Sequence, residues 1–361
     1  MTKLQQLHQH GQSIWYDFIR RDMLADGGMA DLVTEGVRGV TSNPSIFEAA
    51  IARTALYDDH LAELGAAEPE TAFEVLAIQD IRAAADVLST VHQSSGGHDG
   101  YVSLEVSPKL ANDTSGTIAD AMRLWTEVDR ANLMVKVPAT AEGIPAIEEL
   151  TAAGLNINAT LMFSLEDYES VAMAFVRGAA RSADPSKLAS VASFFVSRVD
   201  AITDSALERI DTSAARALLG KAAIANAKLA YRRYEEIFDG EVFADLRAMG
   251  TRPQRVLWAS TSTKNPEYRD VMYVEELIGP NTVNTAPPQT IEAFLDHGVV
   301  KSDSLLEGVD EAEAAIDSLP AVGVDFDGLT AQLQRDGVVA FAKAFESLLG
   351  AIRSKQLQVS A

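Results

Sequence analysis

The run Leu133-Met-Val-Lys136-Val-Pro-Ala-Thr140 sets a lysine among aliphatic, strand-compatible residues, and Pro138 closes the run two residues later. A strand interior normally excludes an ammonium, because desolvating the charge costs several kcal/mol. Burial there favours the neutral amine, which is a nucleophile able to form a Schiff base with a carbonyl. The plainer alternative buries only the aliphatic stem of Lys136 and leaves its head in solvent at a strand end. A second stretch, Asn156-Ile-Asn158-Ala-Thr160-Leu-Met-Phe163, follows about twenty residues on. It puts Asn158 and Thr160, two apart, on one face of a strand.

Outward from these stretches, short β-type runs alternate with helical segments. The β-type runs cover residues 13–17, 39–42, 101–106, 133–137, 155–163, 188–195, 256–260 and 282–285, eight in all. Most are near-continuous apolar runs rather than strict alternations, as expected of parallel strands covered on both faces. Between them, Phe73, Leu76, Ala77, Ile81, Ala84, Leu88 and Val91 fall at helical spacing, and the cluster 94–98 ends that helix. Ser164-Leu-Glu-Asp167 resembles a capping box. Residues 201–238 suit more than one helix, and Pro266 and Pro287-Pro288 suit helix starts for 265–278 and 291–296. Strands alternating with helices predict an α/β fold, a (β/α)8 TIM barrel with extra helices, with an open doubly wound sheet as the alternative. No Gly-x-Gly-x-x-Gly or phosphate-loop motif supports the open sheet. After Gly298 an acidic stretch leads to a final helix with Leu333, Phe341, Ala344, Phe345, Leu348 and Ile352 on one face. That stripe predicts a docked appendage, about residues 300–361, on a single domain spanning 1–361.

Composition narrows the chemistry. The chain has 361 residues, 47% hydrophobic, enough for one large barrel core. It has no cysteine, so thiolate nucleophiles, disulfides and thiolate metal sites are excluded. Fifty-two acidic against 30 basic residues give a net charge of −22, which repels nucleic acid and anionic membranes. An anionic substrate therefore needs a local basic pocket at strand ends. The N-terminus lacks a signal-peptide core and no apolar run approaches about 18 residues, so a soluble, cytoplasmic protein is expected. The six histidines (His8, His10, His60, His92, His98 and His297) avoid the strand ends, and neither a metal nor an organic cofactor is expected.

Barrel chemistry sits where strands end. Asp17 ends the first run, Thr41-Ser42-Asn43-Pro44 the second, and Glu105 lies late in the third. Lys136 lies late in the fourth, Asn158 and Thr160 share a face of the fifth, and Ser193 lies late in the sixth with Arg198 just beyond. Ser260-Thr-Ser-Thr-Lys264 ends the seventh. Each alone also suits a helix cap, a turn or a surface ion pair. A lysine and two carboxylates on one rim suit imine chemistry: the iminium draws electrons from an adjacent C–C bond, and the carboxylates share the proton transfers. Asparagines fix hydroxyls. Arg198 and Lys264 suit a terminal phosphate.

These residues resemble the transaldolase family, through Gly39-Val-Thr-Ser-Asn-Pro-Ser45, Val135-Lys-Val-Pro-Ala-Thr140 with Gly143-Ile, and Ile157-Asn-Ala-Thr-Leu-Met-Phe-Ser164. The likeness runs from the Trp15-Tyr-Asp17 region to the final helix. It implies transfer of a dihydroxyacetone unit from sedoheptulose 7-phosphate or fructose 6-phosphate to glyceraldehyde 3-phosphate or erythrose 4-phosphate, in the non-oxidative pentose phosphate pathway. By the same resemblance Lys136 is the Schiff-base lysine, and Glu105 acts through a water that Thr160 helps position. Asp17 handles the proton of the donor's C4 hydroxyl, and Asn43 and Asn158 hold the dihydroxyacetone hydroxyls. Ser193, Phe195 and Arg198 match the family's sixth-strand segment, with Arg198 as phosphate clamp. Many members carry Ser-x-Arg after the seventh strand. Here Ser260-Thr-Ser262-Thr-Lys264 lacks that arginine, which resembles the longer bacterial subgroup, and Lys264 is expected to substitute. The partners expected are phosphorylated sugars, with no nucleic acid or membrane, and a monomer or homodimer. Two alternatives stand: a fructose-6-phosphate aldolase-type lyase that releases free dihydroxyacetone, and a non-catalytic barrel that only binds sugar phosphates.

Overall fold

The computed structural model describes residues 1–359. Eight strands form a closed barrel: β1 (Gln12–Tyr16), β2 (Gly39–Val40), β3 (Tyr101–Glu105), β4 (Leu133–Pro138), β5 (Ile157–Met162), β6 (Ser190–Phe195), β7 (Arg255–Ala259) and β8 (Thr282–Ala286). They pair in chain order, each parallel to the next, and β8 closes onto β1 from Gln12↔Thr282 to Tyr16↔Ala286. This is the (β/α)8 barrel that the alternation predicts. β4, β5 and β6 are buried at every position, because one face fills the barrel and the other lies under helices. Since all strands run the same way, all eight carboxyl ends share one rim, and the polar strand-end residues collect there.

The connecting helices carry the signals read from sequence. The long helix Pro69–Ser94 buries Leu76, Ala77, Ile81, Ala84, Leu88 and Val91. The chain then reverses into β3 at Gly100, whose φ is +82° and where a Cβ would lie 2.3 Å from the His92 amide nitrogen. Only glycine fits that close approach. Ser164 forms a full capping box with Asp167 at the start of Leu165–Arg181. Three helices, Ser197–Ile210, Ser213–Arg216 and Ala222–Phe238, occupy the stretch read as more than one. Pro288 begins Pro288–His297.

One helix expectation fails. Within 265–278 only Met272–Glu275 is helical. The Asn265 side chain accepts from the Glu267 amide at 2.9 Å, and the Thr263 hydroxyl donates to the Arg269 carbonyl at 3.1 Å. These local bonds hold a turn and compete with helix formation, as short polar side chains do.

The last helix, Phe326–Val359, has 34 residues and is about 50 Å long. It buries Phe345, Leu348 and Ile352, with Leu333 and Phe341 packed against the core. Phe345 meets Phe73 edge-on at 5.6 Å between ring centroids. Ser347 donates to Glu48 at 2.6 Å, and the Gln356 amide to the Gly65 and Ala67 carbonyls. The helix is therefore docked along its length. Among the described residues no helix is long and apolar enough to cross a membrane.

Candidate active site

Strand register brings the central residues together. Glu105 pairs with Lys136, and Lys136 pairs with Asn158, so β3, β4 and β5 present them side by side at one level of the barrel. Lys136 is 6% exposed, which rules out the solvent-facing alternative. Its Nζ donates to the Ser42 carbonyl at 3.0 Å and lies 3.6 Å from Glu105 Oε2. That carboxylate oxygen is buried and hydrogen-bonded to no protein group. Burial raises the Glu105 pKa, and the neighbouring Lys136 charge pulls it partly back. Such a carboxyl can exchange protons nearer neutral pH than an ordinary glutamate.

Asp17 follows β1, and its amide still bonds to the Ala286 carbonyl at 2.9 Å. The Thr41 hydroxyl donates to Asp17 Oδ1 at 2.6 Å and lies 2.6 Å from the Thr285 hydroxyl. The only consistent proton arrangement runs Thr285 to Thr41 to Asp17, since Thr41 has a single hydroxyl proton. Burial raises the Asp17 pKa, while the Thr41 bond and then the Lys136 and Lys264 charges lower it.

On the other side of Lys136, Asn158 is fully buried within a polar chain. Its amide donates to Ser103 Oγ at 3.0 Å, and Ser193 donates to its carbonyl oxygen at 2.7 Å. One Asn158 N–H remains available. Thr160 is 1% exposed on the same face, pairs with Pro138, and its carbonyl accepts from Ala139 at 2.7 Å. The next residue, Leu161, has φ +64°, where the β5–β6 register shifts. Asn43 sits at the end of β2 as helix cap: its side-chain oxygen accepts from Ile46 N at 3.0 Å, which leaves its NH2 to donate.

The cationic end lies beyond β6 and β7. Arg198 stacks over the Phe195 ring at 5.3 Å, and Phe195 packs against Phe163 at 5.0 Å. Burial alone lowers the Arg198 pKa, with no acidic group offsetting it. Ser260 has φ +57° and lies 3.0 Å from the Ser197 hydroxyl. Lys264 stands exposed on the rim, and its Nζ donates to Ser262 Oγ at 2.7 Å. Partial desolvation and the Arg198 charge lower the Lys264 pKa, and the Asp17 charge opposes them. Lys264 thus stands within electrostatic reach of both the carboxylate and the guanidinium.

Of the eleven residues singled out from sequence, Asp17, Asn43, Arg198, Ser260 and Lys264 follow their strands, and Glu105 and Phe195 end theirs. Lys136, Thr160 and Ser193 lie in the second half of theirs, and Asn158 is the second residue of β5, level with Lys136. Reading the sequence alone did not assign roles to Thr41, Thr285, Ser103 or the Ser42 carbonyl. Thr41, Ser42 and Thr285 lie at the ends of their runs and Ser103 inside the third, but their hydrogen bonds cross between strands. Lys109, the competing lysine, instead pairs with Glu70 at 2.7 Å with half its side chain exposed. Among the described residues there is no group of three His, Asp or Glu side chains that could hold a metal.

Residues 14–352 match the family model described as Transaldolase/Fructose-6-phosphate aldolase. A transaldolase of Thiobacillus denitrificans is 50% identical over 349 residues, covering 95% of this chain and 97% of that protein. A transaldolase of Frankia alni is 48% identical, covering 97% of this chain and 96% of that protein. A third, from Saccharopolyspora erythraea, is 46% identical over 98% of both chains. With the barrel, the rim lysine and likeness over nearly the full length in agreement, the chain belongs to the transaldolase/fructose-6-phosphate aldolase family.

Proposed function

We propose that this chain is a transaldolase-type transferase in which Lys136 forms a Schiff base with the C2 carbonyl of a ketose phosphate. The observation that carries the assignment is the buried Lys136 amine beside the equally buried Glu105 carboxyl, 3.6 Å apart. The amine adds to C2, and Glu105, through a water positioned by Thr160, protonates the departing hydroxyl to leave an iminium. Asp17 takes the proton of the C4 hydroxyl. The C3–C4 bond breaks, its electron pair moves into the iminium as an enamine, and an aldose phosphate departs. An acceptor aldehyde then takes the enamine carbon, and the steps reverse. Asn43 and Asn158 hold the dihydroxyacetone hydroxyls. Arg198, Lys264 and Ser260 hold the phosphate, with Phe195 supporting the guanidinium and Ser193 fixing Asn158.

Donors of the fructose 6-phosphate or sedoheptulose 7-phosphate kind, and aldose phosphate acceptors, place the reaction in the non-oxidative pentose phosphate pathway. Lys264 supplies the second cation in place of an arginine, as a point charge rather than a fork. Residues 1–361 form one domain with 300–361 as its helical appendage, a reading supported by the docking of the last helix. A cytoplasmic monomer or homodimer completes the proposal.

Borohydride reduction in the presence of fructose 6-phosphate, followed by peptide mass mapping, tests it. A three-carbon adduct on Lys136 is expected. An adduct on Lys109 or elsewhere, or none, overturns it. The lyase alternative predicts stoichiometric release of free dihydroxyacetone without acceptor.

A further inference from the structure

The C-terminal helix turns Gln334, Gly337 and Phe341 toward the mouth of the barrel, at the i, i+3, i+7 spacing of one helix face. The Gln334 amide donates to the Ala139 carbonyl at 2.9 Å and to Asp167 Oδ1 at 3.1 Å, tying the helix to the loop after β4 and to the first turn of the helix after β5. At Gly337 a Cβ would lie 3.0 Å from Leu161 Cδ2, so the helix seats closely on the left-handed Leu161 beside Thr160. One turn further, the half-buried Phe341 ring lies with its centroid 5.9 Å from Lys136 Nζ. A helix far along the chain thereby supplies an aromatic wall to the reacting amine.

We propose that Phe341 is a specificity-determining residue whose ring shields the Lys136-bound three-carbon unit from bulk water, and so decides between transfer to an aldehyde and release. The inference rests on the Schiff-base reading above. After C3–C4 cleavage the enamine has two fates. Its C3 attacks the acceptor's aldehyde carbon, a C–C bond forms, and the aldehyde oxygen takes a proton from Asp17. Alternatively C3 takes a proton from solvent and the iminium returns. Water then adds to C2 and the C–N bond breaks, giving back the amine and free dihydroxyacetone. The second path consumes one water, and nothing is oxidised or reduced. A phenyl ring has no proton to give and excludes water from its side of the nitrogen, while its face favours the cationic iminium.

The test uses the full chain with fructose 6-phosphate. Dihydroxyacetone release without acceptor is measured against transfer to glyceraldehyde 3-phosphate. Phe341→Ala raises the ratio of release to transfer about tenfold or more, and Phe341→Leu, which restores most of the apolar cover, stays within about threefold of the parent. Val339→Ala, on the 65% exposed side of the helix, leaves the ratio unchanged. A purely structural role would lower both rates together and leave the ratio alone. Should Phe341→Ala not fold, Phe341→Val gives the same reading with a smaller opening. A folded variant that traps the Lys136 adduct but keeps the parent ratio overturns the proposal. Absence of any Lys136 adduct in the parent protein overturns instead the Schiff-base reading on which it rests.

Discussion

Thr41→Val isolates the control of Asp17. The substitution nearly preserves shape and removes the hydroxyl that donates to Asp17 Oδ1 at 2.6 Å. A hydrogen bond to a charged acceptor contributes about 1.5–3 kcal/mol. Its loss destabilises the ionised carboxylate more than the neutral acid, so the Asp17 pKa rises. The direction is fixed: burial already raises this carboxyl, and Thr41 is the foremost group holding it down. Asp17 must be ionised to take the C4 hydroxyl proton, so the acid limb of kcat/KM moves upward in pH. The assay is the pH dependence of kcat/KM with fructose 6-phosphate and an aldose phosphate acceptor. Thr285→Val removes only the outer bond of the chain and moves the limb the same way but less, since cooperativity adds roughly 10–30% per bond. An acid limb unchanged in Thr41→Val, with unchanged thermal stability, would refute the assignment of Asp17 as the proton acceptor.

Lys136→Met abolishes borohydride trapping and lowers kcat by more than about 10⁴-fold, as loss of a covalent nucleophile does; residual trapping with fructose 6-phosphate would move the nucleophile elsewhere. Lys264→Ala raises KM for phosphorylated donors about tenfold with little change in kcat, the pattern of lost uniform binding, and an unchanged KM contradicts its phosphate role. Asp200, buried and bonded to Ala223 N and Tyr273 Oη, has its pKa raised by burial from 3.8 to about 6. The folded state therefore binds this proton more tightly than the unfolded chain, and stability falls as pH rises from about 4 through about 6. Asp200→Asn does not titrate, so its stability relative to the parent improves by about 2 kcal/mol between about pH 4.5 and about pH 8, read from urea midpoints; a pH-independent difference would sink the linkage.

The lysine inside an apolar strand, the eight strand runs and the docking stripe of the last helix were legible because each depends on neighbours in sequence. A parallel strand buried on both faces is apolar at nearly every position, and a docked helix repeats its stripe near every third or fourth residue. Strand direction then assigned Asp17, Glu105, Lys136 and Arg198 to one rim, because every strand of such a barrel ends there, whereas Asn158, second in β5, comes level with Lys136 through register. The short helix at Met272–Glu275 was not legible, since bonds from Asn265 and Thr263 hold a turn where the proline suggested a longer helix. Asn43 was legible as a strand-end asparagine of the motif, but its bond to Ile46 N was not.

Tertiary structure alone decided which groups touch. The register that sets Glu105, Lys136 and Asn158 level, the Thr285–Thr41–Asp17 chain, and the Phe341 ring over the amine all join segments far apart in sequence. Local periodicity states which face of an element is apolar. It carries no information on which distant face arrives opposite, because closure of the barrel and docking of the final helix satisfy burial over the whole chain at once.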